Sequence, residues 1–350
     1  MAKTKRAVVI FNLGGPDNQA AIQPFLFNLF YDRAIINVPN PMRWMIAKLI
    51  SSRRVKEASA IYEELGGGSP IVPQTQAQAD ALTTRLNERD PEADHKVFIA
   101  MRYWHPFVDE AAKGVQVWGA DEVVLLPLYP QFSITTTQTG FKEWDRLSAK
   151  MGLDIPSRRL CCYPTEDGWV EAQAGLIKAA LDQGAKEKPS TPLRVLFSAH
   201  GLPKRTVAQG DPYPDQVEIG AKAIVDTLQI DGLDWQVCYQ SRVGPLEWIG
   251  PSIDEALEKA AADKVGVIVV PIAFVSEHSE TLVELDIEYR DRAKELSLPA
   301  YYRVPTVGVE PSFIGGLAEM VLQDRGVCNS EAGRRVCANS CSACPLQPEG

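Results

Sequence analysis

The chain lacks a long hydrophobic run. The longest, VGVIVVPIAFV at 265–275, is too short to span a bilayer and is interrupted by Pro271. It also lacks a basic excess: 36 Lys and Arg stand against 45 Asp and Glu, a formal charge of −9. That excludes a broad nucleic-acid surface, which needs clustered cations. No secretory leader is expected, because Lys3, Lys5 and Arg6 precede only a short strand-like run. The expected compartment is the cytoplasm. Histidine is scarce, with four in 350 residues, so each position is informative.

What is present is ample apolar material. Hydrophobic residues make up 45% of the chain, enough for a large core and about two domains. RAVVIFNLGGP, KVFIAMRY, DEVVLLPLYP, LRVLFSAHGLP, WQVCYQSR and KVGVIVVPIAF read as buried strands, rich in Val and Ile and punctuated by Gly or Pro. Helically spaced segments separate them, which predicts parallel sheets covered by helices. ADEVVLLPLYPQFSITTTQT (120–139) echoes ADKVGVIVVPIAFVSEHSET (262–281), and DEA precedes each, at 109–111 and 254–256. The repeat is too long for a solenoid. It predicts two similar Rossmann-like α/β halves with a cleft between them, ligands lying beyond the carboxyl ends of the strands.

The first half carries an apolar stretch, PFLFNLFYDRAIINVPNPMRWMIAKLI (24–50). Phe25, Leu26, Leu29 and Phe30 recur at helical spacing. So do Trp44, Met45, Ile46, Leu49 and Ile50, flanked by Arg43, Lys48, Arg53 and Arg54. Ordinary core helices explain such patterning. The functional alternative is an apolar lip for a flat hydrophobic ligand or a membrane surface.

SEHSETLVELDIEY (276–289) carries the densest chemistry. As one helix it would gather Glu277, Glu280, Glu284 and Glu288 into an arc of about 80°. A solvated acidic face is the bland reading. Apolar residues on both flanks argue against it, and like charges at i+4 cost about 0.2–0.5 kcal/mol per pair. Inside a cleft, the stripe could hold a hard cation or relay protons, with His278 beside it. His200 ends a strand next to flexible Gly201. A lone histidine is usually structural, but a strand end facing a cleft suits an imidazole base.

These residues also resemble a known family. LFSAHGLPKRTVAQGDPYP and PIAFVSEHSETLVELDIEY are similar to the two signature stretches of the ferrochelatases. NLGGP, IYEELGGGSPI, RYWHPFVDEA and QSRVGPLEWIGP match further landmarks in order, from Arg6 to Arg325. The resemblance implies the chelatase fold and insertion of ferrous iron, as substrate, into protoporphyrin IX. It implies catalytic roles for His200 and Glu280, with His200 taking protons or binding the incoming metal. It implies a metal path through His200, Glu280, Glu277, His278 and Glu284. Leu13, Arg54, Tyr62, Ser69 and Trp248 match porphyrin contacts. The implied division is 1–164 with the porphyrin lip, 165–318 with the histidine and acidic helix, and 319–350 with a last helix and cysteine-rich tail. Monomer and homodimer both occur among such proteins, and the lip allows peripheral contact with the inner membrane face. The family is held to bend porphyrin into a saddle.

Seven cysteines remain to be read. Cys238 suits the core, and disulfides are disfavoured in a reducing compartment. Cys337, Cys341 and Cys344 lie at spacings of four and three, which lets thiolates surround one soft metal centre. Relatives with such an extension carry a [2Fe–2S] cluster on three tail cysteines and one internal ligand. That internal position falls at Ala172 here, which cannot bind. Cys161, Cys162 and Cys328 are the candidates for the fourth ligand, with Cys161 favoured. Structural zinc and free surface thiols compete with the cluster. Alternatives for the whole chain are a chelatase for coproporphyrin III or for cobalt or nickel, and a non-catalytic iron–sulfur sensor.

Overall fold

The computed structural model describes residues 2–242 and 246–323. Cys328, Cys337, Cys341 and Cys344 lie outside them. The chain forms two compact units. The first holds β1 (Thr4–Asn12), α1 (Ile22–Tyr31), α2 (Met42–Glu63), α3 (Ile71–Arg89), β2 (Ala93–Met101), α4 (Val108–Trp118), β3 (Glu122–Pro127), α5 (Thr137–Met151) and β4 (Ser157–Arg159). The second holds α6 (Asp167–Glu187), β5 (Leu193–His200), α7 (Lys204–Ala208), α8 (Tyr213–Leu228), β6 (Trp235–Gln240), α9 (Ile253–Ala262), β7 (Gly266–Pro271), α10 (Ser279–Leu282), α11 (Tyr289–Glu295) and β8 (Tyr301–Arg303). The last helix, α12 (Pro311–Leu322), groups with the second unit up to Leu317 and with the first from Ala318.

The sheets have the same plan. The first runs β2-β1-β3-β4 and the second β6-β5-β7-β8, all parallel. The internal echo is therefore topological as well as local. Central strands explain the continuous apolar runs: Val8 of β1 sits between Val97 and Val124, and Phe197 of β5 between Val237 and Val270. Helices on both faces leave no side of such a strand for water. In the first unit Val9, Phe11, Ala112, Leu125 and Trp144 pack into one cluster. In the second, Leu196, Leu257, Val269 and Leu285 do the same.

The six strands expected from apolar runs all form. β4 and β8 were not foreseen. Each has three residues, Ser157–Arg159 and Tyr301–Arg303, without the Val and Ile that mark a buried strand. Both are edge strands, where short length and charge guard against stray pairing. Cys161 and Cys162 lie just past β4 and are both buried.

The apolar stretch divides. Ile22, Phe25 and Leu26 of α1 are buried with Tyr62 and Tyr103. Met42, Trp44, Met45 and Leu49 of α2 are about half exposed, at 50, 49, 57 and 51%. Among the described residues no helix is long and apolar enough to cross a membrane.

Candidate active site

Strand order in the second unit fixes where its chemistry belongs. From β5 the chain first moves out to β6, then returns to the other side of β5 as β7. The loops at the carboxyl ends of β5 and β7 therefore diverge and open a crevice, the switch point where α/β sheets hold ligands. His200 is the last residue of β5, and Gln240, its register partner, is the last of β6. The segment after β7 supplies His278, Glu280 and Glu284.

That segment is not one regular helix. His278 has extended backbone and caps the short α10. A π-helical turn, Glu284–Glu288, follows before α11. The carbonyl of Val283 accepts from both Ile287 N and Glu288 N at 3.0 Å. Such wide turns are rare and recur at functional sites. Glu277 precedes the helix altogether, so the regular four-carboxylate stripe is broken. Its Oε1 accepts from Arg303 Nη1 at 2.5 Å and from Thr306 N at 3.0 Å. Glu288 is exposed.

His200 Nδ1 lies 2.9 Å from Glu280 Oε2. Their side chains retain 40 and 26% exposure. Burial works against both charges, yet each partner outweighs it for the other. The Glu280 carboxylate holds the His200 pKa above its ordinary value. The imidazole and its hydrogen bond hold Glu280 well below the usual carboxylate range. With Glu280 ionised, Nδ1 is the donor, and a neutral His200 keeps the Nε2 lone pair for an incoming proton or metal.

Glu284 is held in a different way. Ser241 donates to it twice, from N to Oε1 at 2.8 Å and from Oγ to Oε2 at 2.6 Å. Gln240 Nε2 donates to Glu284 Oε2 at 2.9 Å and to the Glu280 carbonyl at 2.8 Å, while its Oε1 accepts from Ser198 Oγ at 2.8 Å. Burial, then the neighbouring Glu280 charge, push the Glu284 pKa up to about 7. Ser241 has φ of 61°, a left-handed backbone that serine rarely adopts and that aims both its donors at one carboxylate. His278 is 7% exposed, burial lowers its pKa, and its Nδ1 has no hydrogen-bond partner among the described residues.

Trp248 joins this site through Gly201. A Cβ on Gly201 would stand 3.0 Å from the Gln240 carbonyl oxygen and 3.2 Å from Trp248 Cε3. Only glycine lets the indole close over the residue next to His200.

The remaining expected residues belong to the first unit. Leu13 follows β1 and packs, with Tyr62, against the α1 cluster. Arg54 lies over Phe30, its guanidinium carbon 5.9 Å from the ring centroid. Ser69 is buried, and its Oγ accepts from Ile71 N at 3.3 Å as α3 begins. Near them is a network that sequence reading missed. Asp32 Oδ2 accepts from Arg102 Nη2 at 2.6 Å and from Tyr103 OH at 3.0 Å. Arg102 and Tyr103 follow β2 directly, so their strand-end position was the available signal. Among the described residues no three His, Cys, Asp or Glu side chains are grouped to hold a metal ion.

A model of one protein family, Ferrochelatase, matches residues 5–325. The chain belongs to the ferrochelatase family. It is 48% identical to the ferrochelatase of Caulobacter vibrioides (strain NA1000 / CB15N), over 98% of this chain and 98% of that protein. It is 49% identical to the ferrochelatase of Phenylobacterium zucineum (strain HLK1), over 97% of this chain and 100% of that one. The fold is similar to a solved structure of SirB from Bacillus subtilis with Fe3+, at a TM-score of 0.52 and 13% identity, covering 91% of this chain and 94% of that chain. As a ferrochelatase the chain is a metal-inserting lyase of haem biosynthesis.

Proposed function

We propose that the chain inserts Fe2+ into protoporphyrin IX to form protohaem, with His200 and Glu280 as the catalytic pair. The observation that carries this reading is the His200–Glu280 hydrogen bond at the β5/β7 switch point. The porphyrin must lose two pyrrole protons as its four nitrogens take the iron. His200 Nε2 accepts one, and Glu280 stabilises the imidazolium that results. Glu284, whose pKa lies near neutrality, accepts the other. Glu277 and His278 stand behind this pair on the metal path, with Glu277 tied to Arg303. Leu13, Tyr62 and Trp248 contact the macrocycle, and Arg54 and Ser69 its propionates. The functional division follows 1–164, 165–318 and 319–350.

The chain works in the cytoplasm, as a monomer or homodimer, and touches the inner membrane face peripherally through α2. A [2Fe–2S] cluster on Cys337, Cys341, Cys344 and Cys161 would suit thiolate chemistry. Among these only Cys161 is a described residue, 1% exposed, so no step of the reaction is routed through a cluster. Anaerobic reconstitution, followed by visible absorbance and by electron paramagnetic resonance after reduction, tests for it. Absence of both signals removes it.

The test of the main reading is anaerobic Fe2+ insertion into protoporphyrin IX, followed by absorbance. Wild type should form haem and a folded His200→Ala variant should not. No haem from folded wild type, or iron insertion only into coproporphyrin III to give coprohaem, overturns the assignment.

A further inference from the structure

Arg33 and Arg43 face one recess of about 410 Å³, lined also by Asn37, Val38, Pro39 and Asn40. No acidic side chain lines it. Arg33 Nε donates to Asn37 Oδ1 at 3.3 Å, and Arg43 Nη1 to the Val38 carbonyl at 3.3 Å. Arg43 also lies over the Tyr31 ring, 5.2 Å from its centroid. Among the described residues neither guanidinium has a carboxylate partner, and Arg43 Nε is buried with no hydrogen-bond partner. Two uncompensated guanidiniums on one recess call for an anion with several oxygens, because each guanidinium presents a planar fork of donors.

The surroundings say which anion. Arg43 belongs to the first turn of α2, and Met42, Met45 and Leu49 share one face of that helix. All three are half exposed, as is Trp44, whose ring meets Phe27 edge-on at 6.3 Å. An interfacial helix lies in the membrane plane and buries an apolar face of this kind to a depth of roughly 5–10 Å. A soluble phosphate would have no use for this face. Lys48 and Arg53, both exposed, add positive charge along the same helix.

We propose that the Arg33–Arg43 recess seats the phosphate of an anionic phospholipid headgroup, while Met42, Met45 and Leu49 enter the interfacial layer. This rests on the peripheral membrane contact proposed above and adds a defined headgroup site to it. Charge at a membrane surface contributes per residue. Losing both arginines should therefore weaken partition onto anionic vesicles about 30-fold.

The experiment is vesicle flotation with the full chain, using phosphatidylcholine alone and a mixture of phosphatidylglycerol with phosphatidylcholine. Wild type is compared with Arg33→Gln/Arg43→Gln, Arg33→Lys/Arg43→Lys and Met45→Ser/Leu49→Ser, each checked for folding by circular dichroism. The expected result is strong binding to the phosphatidylglycerol mixture, lost in the Gln pair, partly restored in the Lys pair and lost in the apolar pair. No wild-type binding to any vesicle overturns the membrane contact and the site together. Wild-type binding that the Gln pair retains overturns the headgroup site alone. Competition by millimolar inorganic phosphate, with no effect of the apolar pair, assigns the recess to a soluble anion and overturns the lipid. A raised porphyrin KM in the Gln pair, with vesicle binding intact, assigns the arginines to substrate propionates and overturns it likewise.

Discussion

Arg303 ties down both ends of the turn that carries Glu280 and Glu284. Its Nη1 donates to Glu277 Oε1 at 2.5 Å, and its Nη2 to Asp286 Oδ2 at 2.5 Å. The side chains of Arg303, Glu277 and Asp286 are 10, 13 and 22% exposed. Replacing Arg303 by Met keeps an apolar stem and strands two carboxylates. Removing one partner of a buried pair costs about 3–5 kcal/mol. The lower end applies, because Asp286 also accepts from Arg290 at 3.1 Å and is the more exposed of the two acids. Urea denaturation at pH 7 should therefore show a loss of about 3 kcal/mol. The triple change with Glu277→Gln and Asp286→Asn should recover most of it, since the penalty belongs to the uncompensated charges. Acid titration gives an independent sign. Burial opposes ionisation of Glu277, but Arg303 outweighs it and holds its pKa below the ordinary 4.5. The folded state then binds its proton less readily than the unfolded chain does. This stability is present in full above pH 4.5 and is lost as pH falls through the folded value. In Arg303→Met that acid limb should vanish or invert. A loss under about 1 kcal/mol, the level of an exposed pair, with an unchanged acid limb would refute the clamp.

Three other perturbations probe the same site. Gly201→Ala places a methyl 3.0 Å from the Gln240 carbonyl and 3.2 Å from Trp248. It should cost about 1–3 kcal/mol as overpacking and raise the porphyrin KM more than the iron KM; equal changes in both would argue against Trp248 as a porphyrin contact. Ser241→Ala removes the 2.6 Å bond to Glu284 while leaving a side chain at φ of 61°. Ser241→Gly removes the same bond and relieves the backbone, so it should be more stable than the Ala variant by about 1 kcal/mol, and equal stabilities would deny the strain. Glu284 has its pKa raised from 4.5 to about 7, so the folded state holds its proton more tightly than the unfolded chain. Wild-type stability should fall as pH rises from 4.5 through about 7. Glu284→Gln should lack that fall and surpass wild type at pH 8, whereas parallel denaturation curves at pH 5 and 8 would contradict the shift.

Local pattern made part of this legible. Strands packed on both faces wrote themselves as Val- and Ile-rich runs, and His200 stood out because it closes such a run beside a glycine. β4 and β8 carry no such signal, since an edge strand of three residues needs none. The apolar stretch shows where periodicity stops informing. Residues 24–31 and 42–50 have the same helical spacing, yet Phe25 and Leu26 are buried while Met45 and Leu49 are exposed. Spacing says which residues share a face; it does not say what covers it. The acidic stripe failed for a related reason. Its four glutamates share an arc only in a regular helix, and the π-helical turn and the extended backbone at His278 break that regularity. What divides them is partners distant in sequence. Arg303 takes Glu277 from 26 residues away, Ser241 takes Glu284 from 43 away, and His200 takes Glu280 from 80 away. Four residues of one type thus acquire four environments: a clamped anion, a histidine partner, a carboxyl that titrates near neutrality and an exposed charge. The division of labour at the site lives in those distant pairings, which is why the carboxylates could be found from their spacing but not told apart.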